Sequence, residues 1–423
     1  MNAPATAPHV AIIGTGIVGA CTAMALLDRG FRVTLIDPGT PGGEQAASYG
    51  NGAFLSPNSI VPMSMPGLWR KVPGYLLDPG GPLTIRWTSL PRLAPWLLRF
   101  VAAGFTEARV RRTAAILRGL LADTVGQYQA LAERVGAAHL IRPGGLLYVF
   151  PARKDFEAEA LAWQLRHDNG LRWQELDRAA LAAREPGLSP AYTFGVLVEE
   201  GGLCASPGGL VAALVDHAWG RGAALVAARA RGLRLDGDRL LGVETDAGFI
   251  ACDRAVIAAG IGSAALARTV GDRIPMQAER GYHVQLDLPP NDAGPRGAVM
   301  PSDGKMANAW LDEGLRASGQ VELASAGAAP DWNRAEILLR HLYATWPGLP
   351  RDAAVRRWQG NRPSTPDGLP VIGRARWSGD VIHAFGHGHV GLSAAPRTAA
   401  MVAAALTGEM PPIDPVPFAA ARF

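Results

Sequence analysis

The residue types needed to hold a phosphate gather in one short stretch near the N-terminus. The run Val10-Ala-Ile-Ile-Gly14-Thr-Gly16-Ile17-Val18-Gly19 carries a G-x-G-x-x-G pattern, and Asp37-Pro38 follows about 20 residues later. Gly14 permits a tight turn, and Gly16 lets the backbone approach a pyrophosphate with no side chain in between. Gly19 allows a helix to pack closely on a strand. The helix N-terminus entered through Ile17 and Val18 points free N–H groups and partial positive charge at the phosphates. Asp37 can accept hydrogen bonds from an adenosine ribose, and its charge disfavours a 2′-phosphate. The context fits: an apolar strand precedes the turn, a helix is predicted over 20–29 with Gly30 at its end, and a second strand over 32–36 delivers Asp37. This combination points to an ADP-containing cofactor.

The elements that must position these residues come from a chain of 423 residues, long enough for two or three domains with substantial cores. Its 51 Gly and 33 Pro are scattered, so no low-complexity region arises. Net charge is only +4, and Lys occurs only at Lys71, Lys154 and Lys305, the other basic residues being Arg. No dense basic cluster tracks a phosphate backbone, which excludes nucleic acid as a partner. Cys21, Cys204 and Cys252 are far apart and form no C-x-x-C, as expected of small core residues in a reduced, cytoplasmic protein. Residues 1–9 lack the basic and apolar regions of a signal peptide. No apolar run reaches the ~18 residues of a membrane span. The nearest, over 90–105, is interrupted by Arg92 and Arg99 and contains Pro91, Pro95 and Trp96. It reads as an amphipathic helix packed on its own domain. The alternative is a surface in peripheral contact with the inner face of a membrane, to which Trp69, Arg70, Lys71 and Trp87 would add.

Residues 66–141 read mostly as helices, 144–150 as a strand and 155–169 as a helix. A helix over 210–220, a strand over 223–228, a hairpin around Asp236-Gly237-Asp238 and a buried strand over 255–259 follow. Alternation between 274 and 330 predicts antiparallel strands. The stretch 370–406 reads strand, strand, then a helix starting near His389. The expected fold is α/β: an interleaved Rossmann-like nucleotide domain from 1–57, 201–273 and 357–423, and an α+β substrate domain from 58–200 and 274–356, with a helical insertion at 66–141. A nicotinamide-dependent dehydrogenase would usually complete its sheet in one continuous stretch. The absence of a second G-x-G-x-x-G and of C-x-x-x-x-C argues against a flavin disulfide reductase.

Three further blocks add to the fingerprint: Ser48-Tyr49-Gly-Asn51-Gly52-Ala53-Phe54-Leu-Ser-Pro57, Arg280-Gly281-Tyr282, and Trp358-Gln-Gly360-Asn-Arg362-Pro363-Ser-Thr365-Pro366-Asp367-Gly368, the last followed by Gly386-His387-Gly388-His389-Val390-Gly391-Leu392. With these the chain resembles the flavin-dependent amine oxidase superfamily of D-amino-acid oxidase, glycine oxidase and sarcosine oxidase. Its resemblance is strongest to the bacterial D-amino acid dehydrogenase branch and relatives acting on D-hydroxyproline or opines. The four blocks span nearly the whole chain.

The resemblance implies FAD as cofactor. The loop with Ser48, Tyr49, Asn51, Gly52, Ala53 and Phe54 would wrap the pyrophosphate and the flavin. Main-chain groups around Arg231 would meet the adenine, and Ala259 and Gly260 would form a second contact block. Gly388, His389, Val390, Gly391 and Leu392 would begin a helix aimed at the pyrimidine edge of the flavin, the alternative for these glycines being plain helix capping. Binding would be non-covalent, because Asn361-Arg362-Pro363 offers no Cys where sarcosine oxidase-like members carry one. No metal is implied.

Arg362 falls where such enzymes grip the substrate carboxylate, a task suited to a planar guanidinium; the alternative is an ordinary surface Arg. Tyr282 would donate a second hydrogen bond to the carboxylate, or merely pack. His389 stands where glycine oxidase has a second arginine, which puts a two-arginine clamp in doubt. It leaves His389 or His387 as a polar contact, or either as a partner of backbone groups. Tyr49, Tyr282, Met300, Met306 and Trp310 are candidates to line the side-chain pocket. The implied activity is oxidation of D-amino acids or related amines such as D-hydroxyproline. Hydride would pass to flavin N5, giving an imine and then a 2-oxo acid, with electrons passed to a quinone or another acceptor. If the amine binds neutral, no strong base is needed. The alternatives are a glycine-, sarcosine- or opine-type oxidase using oxygen, or the flavoprotein subunit of a heteromeric dehydrogenase.

Overall fold

A computed structural model describes residues 7–68, 70, 74, 81 and 83–423. Its first sheet has six strands, ordered Ala224–Ala227, Arg32–Asp37, His9–Ile13, Arg254–Ile257, Val381–Phe385 and Val371–Arg374. The first five run parallel, and the last pairs antiparallel. The central strands are apolar because both faces are covered. Side-chain alternation divides each between two cores. Val10, Ile12, Val33, Leu35 and Val256 face a layer that includes helices Ile17–Leu27, Pro207–Gly220 and Gly391–Thr407. Ala11, Ile13, Ile36, Ala255 and Ile257 face the opposite layer, which includes the antiparallel strands Ala230–Asp236, Arg239–Thr245 and Gly248–Ala251. The parallel sheet is therefore assembled from well-separated parts of the chain.

A second, mixed sheet is ordered Val355–Ser364, Gln277–Leu286, Gly314–Leu323, Ala307–Leu311, Ala298–Pro301, Leu146–Phe150, Phe194–Val198 and Trp173–Leu176, with Leu83–Ile85 pairing beside Gly314–Leu323. The helix Asn333–Thr345 covers one face, packing Ala335, Leu338 and Leu342 with Val284, Leu315 and Ala317. Helices Leu90–Ala103, Glu107–Leu121 and Thr124–Arg134 form the inserted helical segment. A small sheet of Phe54–Leu55, Gly202–Cys204 and Ile141–Pro143 also joins distant parts of the chain.

Two elements differ from expectation. The single helix predicted over 155–169 is two, Arg153–Glu157 and Ala160–Asp168. The chain tightens between them through bonds from Glu159 N–H to the Phe156 carbonyl and from Ala162 N–H to the Glu159 carbonyl. The segment from 357 to 364, assigned from sequence to the nucleotide domain, pairs along its length with Gln277–Leu286 in the large sheet. It is an edge strand, and its polar sequence hides the apolar alternation by which buried strands are recognised.

Two of the buried histidines bear on stability. His283 stacks on Trp358 with centroids 5.1 Å apart, and its Nδ1 lies 3.3 Å from the Gly50 carbonyl. His387 contacts the Thr398 hydroxyl at 3.0 Å. Burial holds both imidazoles down to about 3, with the Arg316 charge adding to the effect on His283. An unfolded imidazole titrates near 6.5, so below that pH the unfolded chain binds protons that the folded protein refuses. Stability is then lost as pH falls, by up to about 1.4 kcal/mol per pH unit for each ring. Urea denaturation at about pH 5 should give an unfolding free energy roughly 2–4 kcal/mol below that at about pH 7.5. A flat profile would contradict neutral burial of these rings.

Candidate active site

The turn after His9–Ile13 is held by close backbone packing. Gly14 has φ +105°, and a Cβ there would lie 2.4 Å from the Ala258 carbonyl oxygen, so no side chain fits between the turn and the neighbouring strand end. A Cβ on Gly19 would lie 1.9 Å from the Gly14 carbonyl oxygen, which keeps the helix tight against the turn. Asp37 helps to build the turn itself. Its carboxylate accepts from Thr15 N–H at 2.8 Å and from Gly39 N–H at 2.9 Å, while each oxygen keeps a further lone pair. Ser48 Oγ accepts from Ile17 N–H at 3.0 Å, tying the 48–54 loop to the helix N-terminus.

From this turn a cavity of about 1390 Å³ extends through the protein. Gly14, Gly16, Ile17, Val18, Asp37, Pro38 and Ser48 line it, as do Asn51, Gly52, Phe54, Arg231, Ala259 and Gly260. It continues past Gly388, His389, Gly391 and Leu392 to Arg362. A glycine-built turn, an acceptor carboxylate and a helix N-terminus facing one continuous space fit an extended dinucleotide such as FAD. Cys21, Cys204 and Cys252 are buried away from it, and burial pushes each thiol up to about 12.

Four residues expected at the cofactor do not line this cavity. Gly19 lies beneath the turn. Tyr49 turns its hydroxyl to Glu44, 3.2 Å away, with its ring 6.2 Å from that of Trp358 and under the Arg316 guanidinium. Ala53 is fully buried with φ +66°, its N–H bonded to Asn51 Oδ1 at 2.8 Å. Val390 points into the core behind the helix. Alternation and turn geometry send these side chains away even where neighbouring residues face the space. A buried arginine absent from the expected set holds the loop instead: Arg316 donates to the Tyr49 and Asn51 carbonyls at 2.9 and 3.1 Å and to Gln285.

At the far end, Arg362 extends over Gly281. A Cβ on Gly281 would lie 2.5 Å from the guanidinium carbon, so only glycine leaves it room. Arg362 donates to the Gln320 carbonyl at 3.1 Å, and Gln320 itself adopts φ +55°. The guanidinium also lines the cavity, which leaves donors to face a ligand. His389 opens into the cavity yet lies deep in the protein, and burial together with the Arg362 charge holds it down to about 4. It is therefore neutral at pH 7.

Tyr282 is not at the site. It lies on the opposite face of its strand from Gly281, 1% exposed, donating to Glu322 Oε2 at 2.5 Å and accepting from Asp331 N–H at 3.0 Å. Of the other side-chain pocket candidates, Met300 lines the cavity, whereas Met306 and Trp310 pack in the core beside helix Asn333–Thr345. The wall comes instead from helix Leu90–Ala103. There Trp96 stacks on Phe100 at 5.0 Å and donates to the Ser364 carbonyl at 3.2 Å, and Met63, Met65, Ile85 and Leu323 continue the apolar surface. Glu279 also reaches this space, 5% exposed, and was not singled out from the sequence. Its signal was available: it is a charge two residues from Gly281, hence on the same face of a strand that is otherwise mostly apolar or paired. No group of three or more His, Cys, Asp or Glu suited to a metal occurs among the described residues.

Because Asp37 accepts two backbone N–H bonds, part of its role needs no nucleotide. Asp37→Asn replaces one acceptor oxygen by a donor and leaves one N–H without its partner. The cofactor-free protein should lose about 1–3 kcal/mol of stability by chemical denaturation. Unchanged stability would confine Asp37 to the ligand.

Comparison with known proteins places this geometry in a family. Residues 9–405 match the DAO family, described as FAD dependent oxidoreductase. The chain is 52% identical over 418 residues to a D-amino-acid oxidase of Bradyrhizobium diazoefficiens, covering 98% of this chain and 99% of the relative. It is 29% identical over 429 residues to a D-amino acid dehydrogenase of Agrobacterium fabrum, with 98% and 99% coverage. Its fold is like that of a glycine oxidase from Geobacillus kaustophilus, with a TM-score of 0.75 at 21% identity over 98% of this chain and 99% of that one. A match spanning nearly the whole chain, together with a cavity built for a dinucleotide, makes this protein a member of the FAD-dependent oxidoreductases of the DAO family.

Proposed function

We propose that the protein oxidises D-amino acids, or related amines such as D-hydroxyproline, to imines that hydrolyse to 2-oxo acids when the amine is primary. The observation that carries this is Arg362, a guanidinium with donors facing the end of the FAD-sized cavity that the Trp96 and Phe100 wall closes. Bound FAD supplies the acceptor for the hydride that leaves Cα. Gly14, Gly16, Ile17, Val18, Asp37, Ser48, Asn51, Gly52 and Phe54 would hold it, together with main chain near Arg231, Ala259, Gly260 and the helix N-terminus at Gly388, His389, Gly391 and Leu392. The Gly391–Thr407 helix would present partial positive charge to the ring edge. Arg362 would take the substrate carboxylate through two parallel hydrogen bonds and so fix Cα. The handedness rests on the names of the relatives. The wall of Trp96, Phe100, Met63 and Met65 suits a side chain larger than hydrogen, which weighs against glycine as the main substrate.

The nucleotide domain of this proposal comprises 1–57, 201–273 and the chain beyond the Val355–Ser364 strand. Electrons would leave to a quinone or another acceptor. Leu98 is exposed on helix Leu90–Ala103 with Arg92 and Arg99, and Phe105 is exposed in the turn that leads to Arg109 on the next helix. This surface suits peripheral contact with the inner face of a membrane, where a quinone dissolves. No helix among the described residues is long and apolar enough to cross one. Trp69 and Lys71, expected to add to that contact, lie outside the described residues, as does the side chain of Trp87.

Anaerobic addition of D- and L-alanine, glycine, sarcosine, D- and L-hydroxyproline and an opine to the yellow holoenzyme should bleach the flavin band near about 450 nm with the D-amino acids. Bleaching by L-forms alone would overturn the assignment. Arg362→Met should lower kcat/KM by about 10²–10⁴, the cost of a lost charged pair, while the protein stays yellow. A loss under about threefold would remove Arg362 from carboxylate binding.

A further inference from the structure

Glu279 and Arg362 are direct cross-strand partners in the pairing of Gln277–Leu286 with Val355–Ser364. Such partners share a face with Cβ atoms about 5 Å apart, and both side chains reach the cavity. They nevertheless form no ion pair at 4.0 Å or less among the described residues. Arg362 turns to the Gln320 carbonyl instead. The cavity thus carries two separate, opposite charges side by side, a complement to the carboxylate and ammonium of an α-amino acid. We propose that Glu279 binds the substrate ammonium beside the Arg362-held carboxylate and takes its proton. This rests on the amino-acid assignment above and completes it, because hydride departure from Cα requires a nitrogen lone pair. One N–H bond breaks and one O–H bond forms: R–NH₃⁺ and the Glu279 carboxylate become R–NH₂ and a carboxylic acid, with no change of oxidation state.

The surroundings leave this task to Glu279. The titratable and charged groups nearest it are Arg362 on the paired strand, His387 and His389 on the turn before Gly391–Thr407, and Asp367 on the turn after Ser364. Asp367 is committed to Arg422 at 2.7 Å and His387 to Thr398 at 3.0 Å. Burial, with the Arg362 charge adding to it, weakens His389 as a proton acceptor. The segments at 61–64, at Phe100 and at Thr113 and Leu117 bring no charge to it. Burial raises the proton affinity of the Glu279 carboxyl, and Arg362 and the Ser364 hydroxyl offset part of that rise. A carboxylate out of water is a better proton acceptor than one in water, and here the nearby cation offsets only part of that gain.

The test uses FAD-loaded enzyme and two non-reactive ligands of one shape. 2-Aminoisobutyrate has no Cα hydrogen to lose, and 2,2-dimethylpropanoate carries a methyl group in place of its ammonium. Binding is read from perturbation of the flavin absorbance. The wild type at about pH 8 should prefer the amino ligand by about tenfold or more, the worth of one charge-assisted hydrogen bond. Glu279→Gln should abolish the preference and leave dimethylpropanoate binding within about twofold. Its kcat/KM for a D-amino acid should fall about tenfold or more at pH 7 and recover as pH nears the amine's own pKa. An unchanged preference in the variant overturns the proposal. So does an equal loss for both ligands, which would make Glu279 a positioning residue for Arg362. If neither ligand binds the wild type, the amino-acid assignment itself falls, and this proposal with it. Should the variant fail to fold, the wild type still decides. Absence of any preference for the amino ligand in the wild type at about pH 8 overturns the proposal.

Discussion

A cation held deep inside a protein must be supported by dipoles, a counter-charge or a ligand, because desolvation costs several kcal/mol. Arg362 stands in that position, and burial alone pushes its guanidinium down, against the pull of Glu279. Its support is built from backbone. Gly281 leaves room for the planar group, and Gln320 adopts φ +55° in the strand that offers Arg362 its carbonyl. A non-glycine residue in that conformation costs of order 1–3 kcal/mol unless its surroundings repay it. The large sheet can hold the arginine because it also holds the carbonyl and the carboxylate on neighbouring strands.

The other half of the site follows from the parallel sheet. The cavity lies beyond the C-terminal ends of its strands. Gly14 follows His9–Ile13, Asp37 ends Arg32–Asp37, Ala259 follows Arg254–Ile257 and Gly386 follows Val381–Phe385. This is where open α/β sheets receive ligands, since strand ends and helix N-termini there offer unpaired backbone groups. Two sheets of different construction thus face one space, the parallel sheet bringing strand ends and helix N-termini and the mixed sheet bringing the Arg362 and Glu279 charges. The loop at 48–54 spans them, pinned by Ser48 to the helix N-terminus and by Arg316 to the mixed sheet.

Legibility divides along the same line. The glycine turn and Asp37 could be read because they belong to one strand–turn–helix–strand unit with a fixed spacing, and Ser48 because it lies in a block shared with a known family. The parallel strands were legible for a related reason, since a strand buried on both faces must be continuously apolar. Strand Val355–Ser364 and helix Asn333–Thr345 escaped. The first is a polar edge, and the second is apolar only where it meets the sheet.

The sequence alone determined that the chain binds an ADP-containing cofactor, that its nucleotide domain is interleaved, and that Arg362 belongs to a block worth attention. Tertiary structure decided which side chains share the chamber. It sent Tyr282 and Tyr49 away from it, brought helix Leu90–Ala103 over it, and set Glu279 beside Arg362. The physical reason is that a face of a strand is chosen by parity and register. Register is set by pairing with segments tens of residues away, which no local spacing records.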